Sequence, residues 1–207
     1  MRADSTFPIR SEKNVMRAKA MVFVLGALAA SACVPDWARQ GDSPEILLMT
    51  GINGGSPLDS DVRISTGTVC PDFATLRVEN HQKNPLNTDA SFRADIVIER
   101  YGVRYFRSDG RNTEGVDVPY SITGNVAQEI QAGSSATLSL EVVRRQAKLE
   151  PPLRNLQALG GGQVVTMFAE VTIHARSTVQ QTTNSATARL QIDFADFADA
   201  LTTCPTQ

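Results

Sequence analysis

The chain has 207 residues, of which 42% are hydrophobic and 20% are charged, and its formal net charge is −2 at pH 7. This length and apolar content are sufficient for one domain with a sizeable core. The slight acidity argues against nucleic acid as a partner, because phosphate recognition needs clustered Lys and Arg side chains.

A short apolar run, Met21–Cys33, lies near the N terminus. Spanning a bilayer takes about 20 apolar residues, so this run is too short to predict a transmembrane helix. Arg17 and Lys19 precede it and small residues end it, which is the layout of a secretory signal peptide. The residues before Met16 are polar and add nothing to export, so Met16 is a second candidate for the start of translation.

The residues Ala30, Ser31 and Ala32 directly before Cys33 resemble the lipobox of bacterial lipoprotein signals. The resemblance implies that residues 1–32 are removed, that Cys33 receives a diacylglycerol, and that its new amino group is acylated. Ala30 departs from the usual pattern, which has Leu at that position. The alternative is ordinary cleavage after Ala32, which would give a soluble secreted protein. Three acyl chains, at ~0.8 kcal/mol per buried methylene, would hold the protein firmly on a membrane.

Residues 33–44 are predicted to form the lipidated N terminus and a polar tether. In the lipoproteins that the signal resembles, Asp after the cysteine favours retention in the inner membrane, and the residue here is Val34. For a Gram-negative host we therefore expect the outer membrane, with the domain facing the periplasm or the cell surface. Residues 1–32 contain five of the 20 basic and two of the 22 acidic side chains. Residues 33–207 therefore contain 15 basic and 20 acidic side chains, a net charge of −5. That charge makes anionic headgroups poor partners.

The chain has three cysteines, and the lipid would use one of them. Cys70 and Cys204 then remain as a pair, and an exported chain folds in an oxidising compartment. We therefore predict a disulfide between them, with two free buried thiols as the alternative. Cys70 precedes the first clearly patterned strand and Cys204 follows the last one, so the bond would join the two ends of the domain.

Alternating apolar and polar residues predict half-buried strands. The patterned segments are 74–79, 92–106, 119–130, 136–143, 165–175 and 186–194, preceded by two shorter candidates at 46–49 and 62–65. The last two long segments are expected to pair as an antiparallel hairpin. Within 92–106 the inward phase slips by one residue between Arg100 and Gly102, which predicts a β-bulge.

The stretch after Val143 loses the strand pattern. Pro151 and Pro152 exclude a central strand there. Leu153, Leu156 and Leu159 recur every three residues and predict one short helical turn near 153–159, closed by the glycines of 160–162. This turn is expected to plug the open end of a sandwich or to present a ridge to a partner.

Seven to nine short strands separated by Gly, Pro and Asn turns predict an all-β, antiparallel two-sheet sandwich over residues 45–204, with 205–207 as a tail. The pattern resembles an immunoglobulin-like or fibronectin type III-like domain. The resemblance lies in the pattern alone, because Cys70 and Cys204 flank the domain and Trp37 precedes it, so the Cys-Trp-Cys signature of antibody domains is missing.

Few residues are suited to catalysis. His81 is placed in a loop after a strand and His174 on the polar face of a strand, and neither is predicted to be catalytic. Asp193, Asp196 and Asp199 form the best acidic cluster, which would bind Ca²⁺ if a helical turn gathered the carboxylates. We expect instead that the aspartates are solvated, and we predict no metal and no cofactor.

These patterns predict a membrane-anchored envelope lipoprotein that acts, without catalysis, as a binding or assembly module with an envelope protein as partner. Fixing such a domain to a membrane raises its effective concentration. A small-ligand or carbohydrate carrier is the alternative if Tyr101, Tyr105 and Tyr120 line one exposed groove. A hydrolase, the third possibility, would need a deep pocket with converging titratable groups.

Overall fold

The computed structural model describes residues 44–84, 94–159, 162–198 and 202–204. Eight strands and three short helices lie within these residues. The strands are β1 (Glu45–Ile52), β2 (Leu58–Asp61), β3 (Asp72–Gln82), β4 (Ile96–Phe106), β5 (Ile122–Ile130), β6 (Ser135–Val143), β7 (Val165–Ser177) and β8 (Thr183–Ala195). The helices are α1 (Arg145–Leu149) and the 3-10 helices Asn53–Gly55 and Leu153–Ala158.

The strands form a three-stranded sheet, in the order β1-β3-β6, and a five-stranded sheet, in the order β2-β8-β7-β4-β5. The predicted all-β fold with two sheets is confirmed, and the strand number lies within the predicted range. The expectation of purely antiparallel sheets is wrong at one pair, because β2 runs parallel to β8. The Asn184 amide at the start of β8 bonds the Glu45 carboxylate at the start of β1, so both strands start at the same end of the sandwich. Strand β2 follows β1 after a short turn and keeps that direction in the other sheet.

Strand β4 contains the predicted irregularity. Its pairing with β7 shifts between Ile98 and Arg100, which leaves one extra residue on β4. The buried positions change there from Ile96 and Ile98 to Tyr101, so the bulge returns the following side chains to the core. The first residues of the predicted segment, 92 and 93, lie outside the described residues.

Two expectations for short elements need correction. The candidate strand 62–65 is wrong: the strand is β2, which ends at Asp61, and Val62 and Ile64 reach the core from the turn that follows it. The helical turn near 153–159 is confirmed as a 3-10 helix, but its stripe is shorter than predicted. Leu153 and Leu156 are buried, whereas Leu159 follows the last helical residue and is 46% exposed. Leu153 and Leu156 thus join the core at the end of the sandwich where β6 stops.

The two ends of the sandwich differ in what they carry. The tether end is where β1 begins at Glu45 and β3 ends at Gln82, which are paired residues. The helix end is where β6 stops at Val143 and α1 follows. The helix end also holds the bond between the sulfur atoms of Cys70 and Cys204, at 2.12 Å, in agreement with the predicted pair.

Two tyrosines of β4 connect the sheets. The Tyr101 hydroxyl donates a hydrogen bond to the Glu141 carbonyl of β6 at 3.1 Å, and the Tyr105 hydroxyl donates one to the Val142 carbonyl at 2.5 Å. Both side chains are buried, and burial raises the pKa of Tyr105 well above its ordinary value. These bonds place β6 directly opposite β4.

Replacing Tyr105 with phenylalanine tests this connection. We expect Tyr105→Phe to lower the free energy of unfolding by about 1 to 3 kcal/mol, because the Val142 carbonyl would stay buried without a donor. Urea denaturation would measure the change. Tyr120→Phe is the matched control, since that side chain is 57% exposed, and equal losses in both variants would contradict the proposed connection.

Candidate functional site

The predicted lipidation site and signal peptide lie outside the described residues. This holds for Cys33, for residues 1–32 and for all but the last residue of the tether. In the parts of the chain that the structure describes, no helix has the length and apolarity needed to cross a bilayer. Lipidation at Cys33 therefore stays a prediction.

The predicted acidic cluster does not share one partner. Asp193 accepts a hydrogen bond from the Thr166 hydroxyl at 2.5 Å, while Asp196 forms an ion pair with Arg63 at 3.0 Å. Asp199 lies outside the described residues. The two described carboxylates are thus committed to different neighbours, and nothing in their contacts favours the calcium alternative.

The two histidines occupy strands. His81 lies inside β3 and not in a loop, because the ladder with β1 extends past it and pairs it with Ile46. Its ring contacts the Glu79 carboxylate at 2.9 Å, and this hydrogen bond lowers the pKa of Glu79. His174 is half-buried on the outer face of β7, where burial, with a contribution from Arg100, lowers its pKa. Neither histidine lines the cleft described next.

A cleft at the helix end lies between the start of β5 and α1. Its volume is about 120 Å³. The apolar lining is Pro119, Ile122, Ala147 and Pro151, and the polar lining is Tyr120, Ser121, Arg144, Gln146 and Glu150. Apolar side chains together with polar groups that can orient a ligand are typical of binding pockets.

One wall of the cleft is built around Tyr120. Its ring packs on Gly115, where an added Cβ would overlap the ring and the hydroxyl of the tyrosine. Gly115 also has a φ of +74°, which favours glycine. The next residue, Ser121, bonds the Glu114 carboxylate through both its backbone amide and its hydroxyl. The turn before β5 is therefore held in shape, and it presents the tyrosine to solvent.

The opposite wall is α1, which a buried lysine fixes to the sandwich. Lys148 is fully buried, and its Nζ donates hydrogen bonds to the Asp61 carbonyl at 2.7 Å and to the Asp72 carboxylate at 2.8 Å. The Ser60 hydroxyl also bonds Asp72, at 2.5 Å. Burial raises the pKa of Asp72, and the lysine partly offsets this effect. The charge pair thus ties α1 to β2 and β3, while Ala147 lines the cleft.

Arg144 stands between the cleft and the strands. Its guanidinium donates to the Thr123 carbonyl of β5, which joins the residue after β6 to the edge of the other sheet. On the α1 wall itself, the Gln146 amide bonds the Glu150 carboxylate at 2.5 Å. The rim therefore combines a cation, a carboxylate, an amide and a phenol, which together offer both donors and acceptors.

The size of the cleft limits what it can hold. Pockets for small molecules usually enclose roughly 300 to 1,000 Å³, and this cleft is less than half of the lower value. A second hollow of about 450 Å³ lies between residues 63–67 and 196–198, but it is wide open and mainly polar, and its Arg63 and Asp196 pair with each other. The cleft has room for one side chain of a partner.

The three tyrosines do not line one groove. Tyr101 and Tyr105 are buried between the sheets, and of the three only Tyr120 is exposed. The condition that would have favoured a small-ligand or carbohydrate carrier is therefore not met. Sequence reasoning missed Arg144 and Lys148 as site residues, because both follow β6 in a stretch without a clear period.

No known family model matches the chain, and no curated protein matches it significantly.

Replacing Lys148 tests how the cleft wall is held. We expect Lys148→Ala to cost about 3 to 5 kcal/mol of stability, because Asp72 would remain buried without its cation. The double variant Lys148→Met, Asp72→Leu removes both charges and should recover most of that loss. Urea unfolding of the three chains would decide, and a double variant as unstable as the single one would contradict this account.

Proposed function

We propose that this protein is a bacterial envelope lipoprotein, anchored through Cys33, whose immunoglobulin-like sandwich acts without catalysis as a binding or assembly module. The signal-like residues before Cys33 and the bonded cysteine pair support export. The two-sheet architecture supports the immunoglobulin-like assignment. The outer membrane is the favoured location, because Val34 follows the lipidated cysteine.

The position of the cleft suits a module that faces away from its anchor. The described chain starts at Pro44, at the tether end, whereas the cleft lies at the helix end. The 11-residue strand β4 runs between these ends and spans ~36 Å at the usual rise per residue. A lipid on Cys33 would join the sandwich at the end opposite the cleft, which would leave the cleft open to a partner in the envelope.

The observation that carries the proposal is the small volume of the cleft. A space of about 120 Å³ with a mixed apolar and polar lining suits a single side chain from another protein. Protein interfaces take much of their binding energy from a few anchors of this kind. The same volume is too small for this cleft to serve as the site of a hydrolase or a carrier, both of which must enclose most of a ligand.

Lipidation can be tested on the whole chain in a bacterial host. We expect the chain to incorporate labelled palmitate and to sediment with membranes, and Cys33→Ser to lose both properties. Cys70→Ser together with Cys204→Ser is the matched control, since these residues bond each other and should leave labelling intact. A Cys33→Ser chain that still takes up palmitate would refute the anchor.

Partner binding at the cleft can be tested by site-specific photo-crosslinking in intact envelopes. A photoreactive residue at Tyr120 should give one discrete adduct with another protein, because the cleft lies at the end of the sandwich opposite Pro44. Val179 is the control position, since it is similarly exposed, at 48%, but lies in the β7–β8 turn at the tether end. Adducts of equal yield at both positions, or at neither, would argue against the cleft.

A further inference from the structure

The two sheets differ in width along one flank of the sandwich. Strand β6 lies opposite β4, because the hydroxyls of Tyr101 and Tyr105 reach the carbonyls of Glu141 and Val142. In the five-stranded sheet β5 comes after β4, whereas in the three-stranded sheet the described residues place no strand after β6. The inner face of β5 therefore extends one strand beyond the cover that β6 provides.

The burial of β5 shows this missing cover. Its inward positions follow from its pairing with buried residues of β4. Ile122 and Ile130, at the two ends of the strand, are buried, but Gly124 and Val126 between them are half-buried and Gln128 is exposed. The Tyr101 ring covers Gly124, because a Cβ added there would overlap the ring. The uncovered strip is therefore Val126 and Gln128, and it is closed at both ends.

The backbone of β6 faces the same strip. Asn80 of β3 forms two backbone hydrogen bonds with the turn before β6. The Asn80 amide donates to the Ser134 carbonyl, and the Gly133 amide donates to the Asn80 carbonyl. Since such bonds alternate in direction along an antiparallel pair, Leu138 and its alternate neighbours bond β3. Thr137 and Ser139 consequently direct their amides and carbonyls to the open side.

The other sheet edges carry features that hinder strand addition. The pairing of β1 is irregular between Met49 and Gly51, and β2 has four residues. Strand β5 is irregular in its pairing with β4, and Arg144 occupies its Thr123 carbonyl. Strand β6 pairs regularly from Ser135 to Glu141 and contains no proline, glycine or lysine.

We infer that β6 accepts an extended segment of a partner polypeptide as a fourth strand, laid over the inner face of β5. This inference rests on the proposed binding role and names the form of the partner. Backbone hydrogen bonds to Thr137 and Ser139 would supply affinity. An aliphatic side chain on the inner side would cover Val126, and a hydroxyl or basic side chain on the outer side would lie beside Ser139 or Glu141.

The overhang of β5 favours a single segment over a second copy of the chain. Two sandwiches that approached edge to edge through β6 would bring their projecting β5 strands together before the β6 strands could pair. One extended segment needs only the ~4.8 Å that separates neighbouring strands. Towards the helix end the strip is followed by the Tyr101 ring over Gly124 and then by Arg144, which bonds the Thr123 carbonyl and lines the cleft. A side chain from that end of the same segment would therefore enter the cleft.

Amide hydrogen exchange on the full chain tests the site directly, with a soluble peptide of alternating threonine and valine ending in lysine as the probe. In the free chain the Thr137 and Ser139 amides should exchange faster than those of Leu138 and Leu140. The peptide should slow exchange at Thr137 and Ser139 by ~10-fold or more and leave Leu138 unchanged. Protection of Thr137 and Ser139 without peptide, or no slowing with it, would overturn the inference.

Edge variants provide the matched comparison. Ser139→Pro removes an outward amide and should weaken peptide binding by ~10-fold, whereas Ser139→Ala keeps that amide and should bind normally. If the proline variant does not fold, Thr137→Lys places a charge on the edge instead and should weaken binding similarly. If the unchanged protein forms a dimer and these variants dissociate it, the occupant of the β6 edge is a second copy of the chain and not a partner segment. That result would overturn the inference. Peptide binding does not depend on lipidation. A chain that takes up no palmitate in its host but still binds the peptide would therefore contradict the anchor and leave this inference intact.

Discussion

The structure depends on two hydroxyl groups that cross the core. Tyr101 and Tyr105 donate from β4 to consecutive carbonyls of β6, which fixes how the two sheets lie on each other. A sheet of three strands cannot cover five, and this alignment decides which inner surface is left uncovered. With β6 held over β4, the uncovered strip falls on β5, next to the regular edge of β6. The hydrogen bonds that hold the core together therefore also determine where a partner strand would have access.

The buried pair of Lys148 and Asp72 has a comparable role at the helix end. Removing two charges from water costs several kcal/mol per ion, and a pair of this kind often contributes little net stability. What it provides here is position, because the lysine reaches both a carbonyl of β2 and a carboxylate of β3 from a five-residue helix. A helix this short has little stability of its own. Its tertiary hydrogen bonds keep Ala147 in the wall of the cleft.

Local pattern was sufficient to predict much of the fold. Period-two alternation located most strands, and the change of phase in β4 predicted the bulge between Ile98 and Arg100. The parallel strand β2, with the sequence Leu-Asp-Ser-Asp, has no apolar period, because its place is set by pairing with a strand more than 130 residues away. The cleft was equally unpredictable. Tyr120 and Arg144 are separated in sequence, and only the folded sandwich places them on one pocket.

Two of the groups whose pKa values depart from normal are tied to the structure of the core. Tyr105 and Asp72 are raised chiefly by burial, and each is engaged in holding strands or helices in place. Strand addition, by contrast, uses backbone groups that every polypeptide has, so it gives affinity with little selectivity. A pocket for one side chain beside the same edge adds the missing selectivity, because only segments with a fitting residue in the right register can occupy both. The edge of β6 and the cleft would therefore select a partner better together than either would alone. Arg144 bonds β5 and also lines the cleft, so it is the residue through which occupancy of the two sites would be coupled.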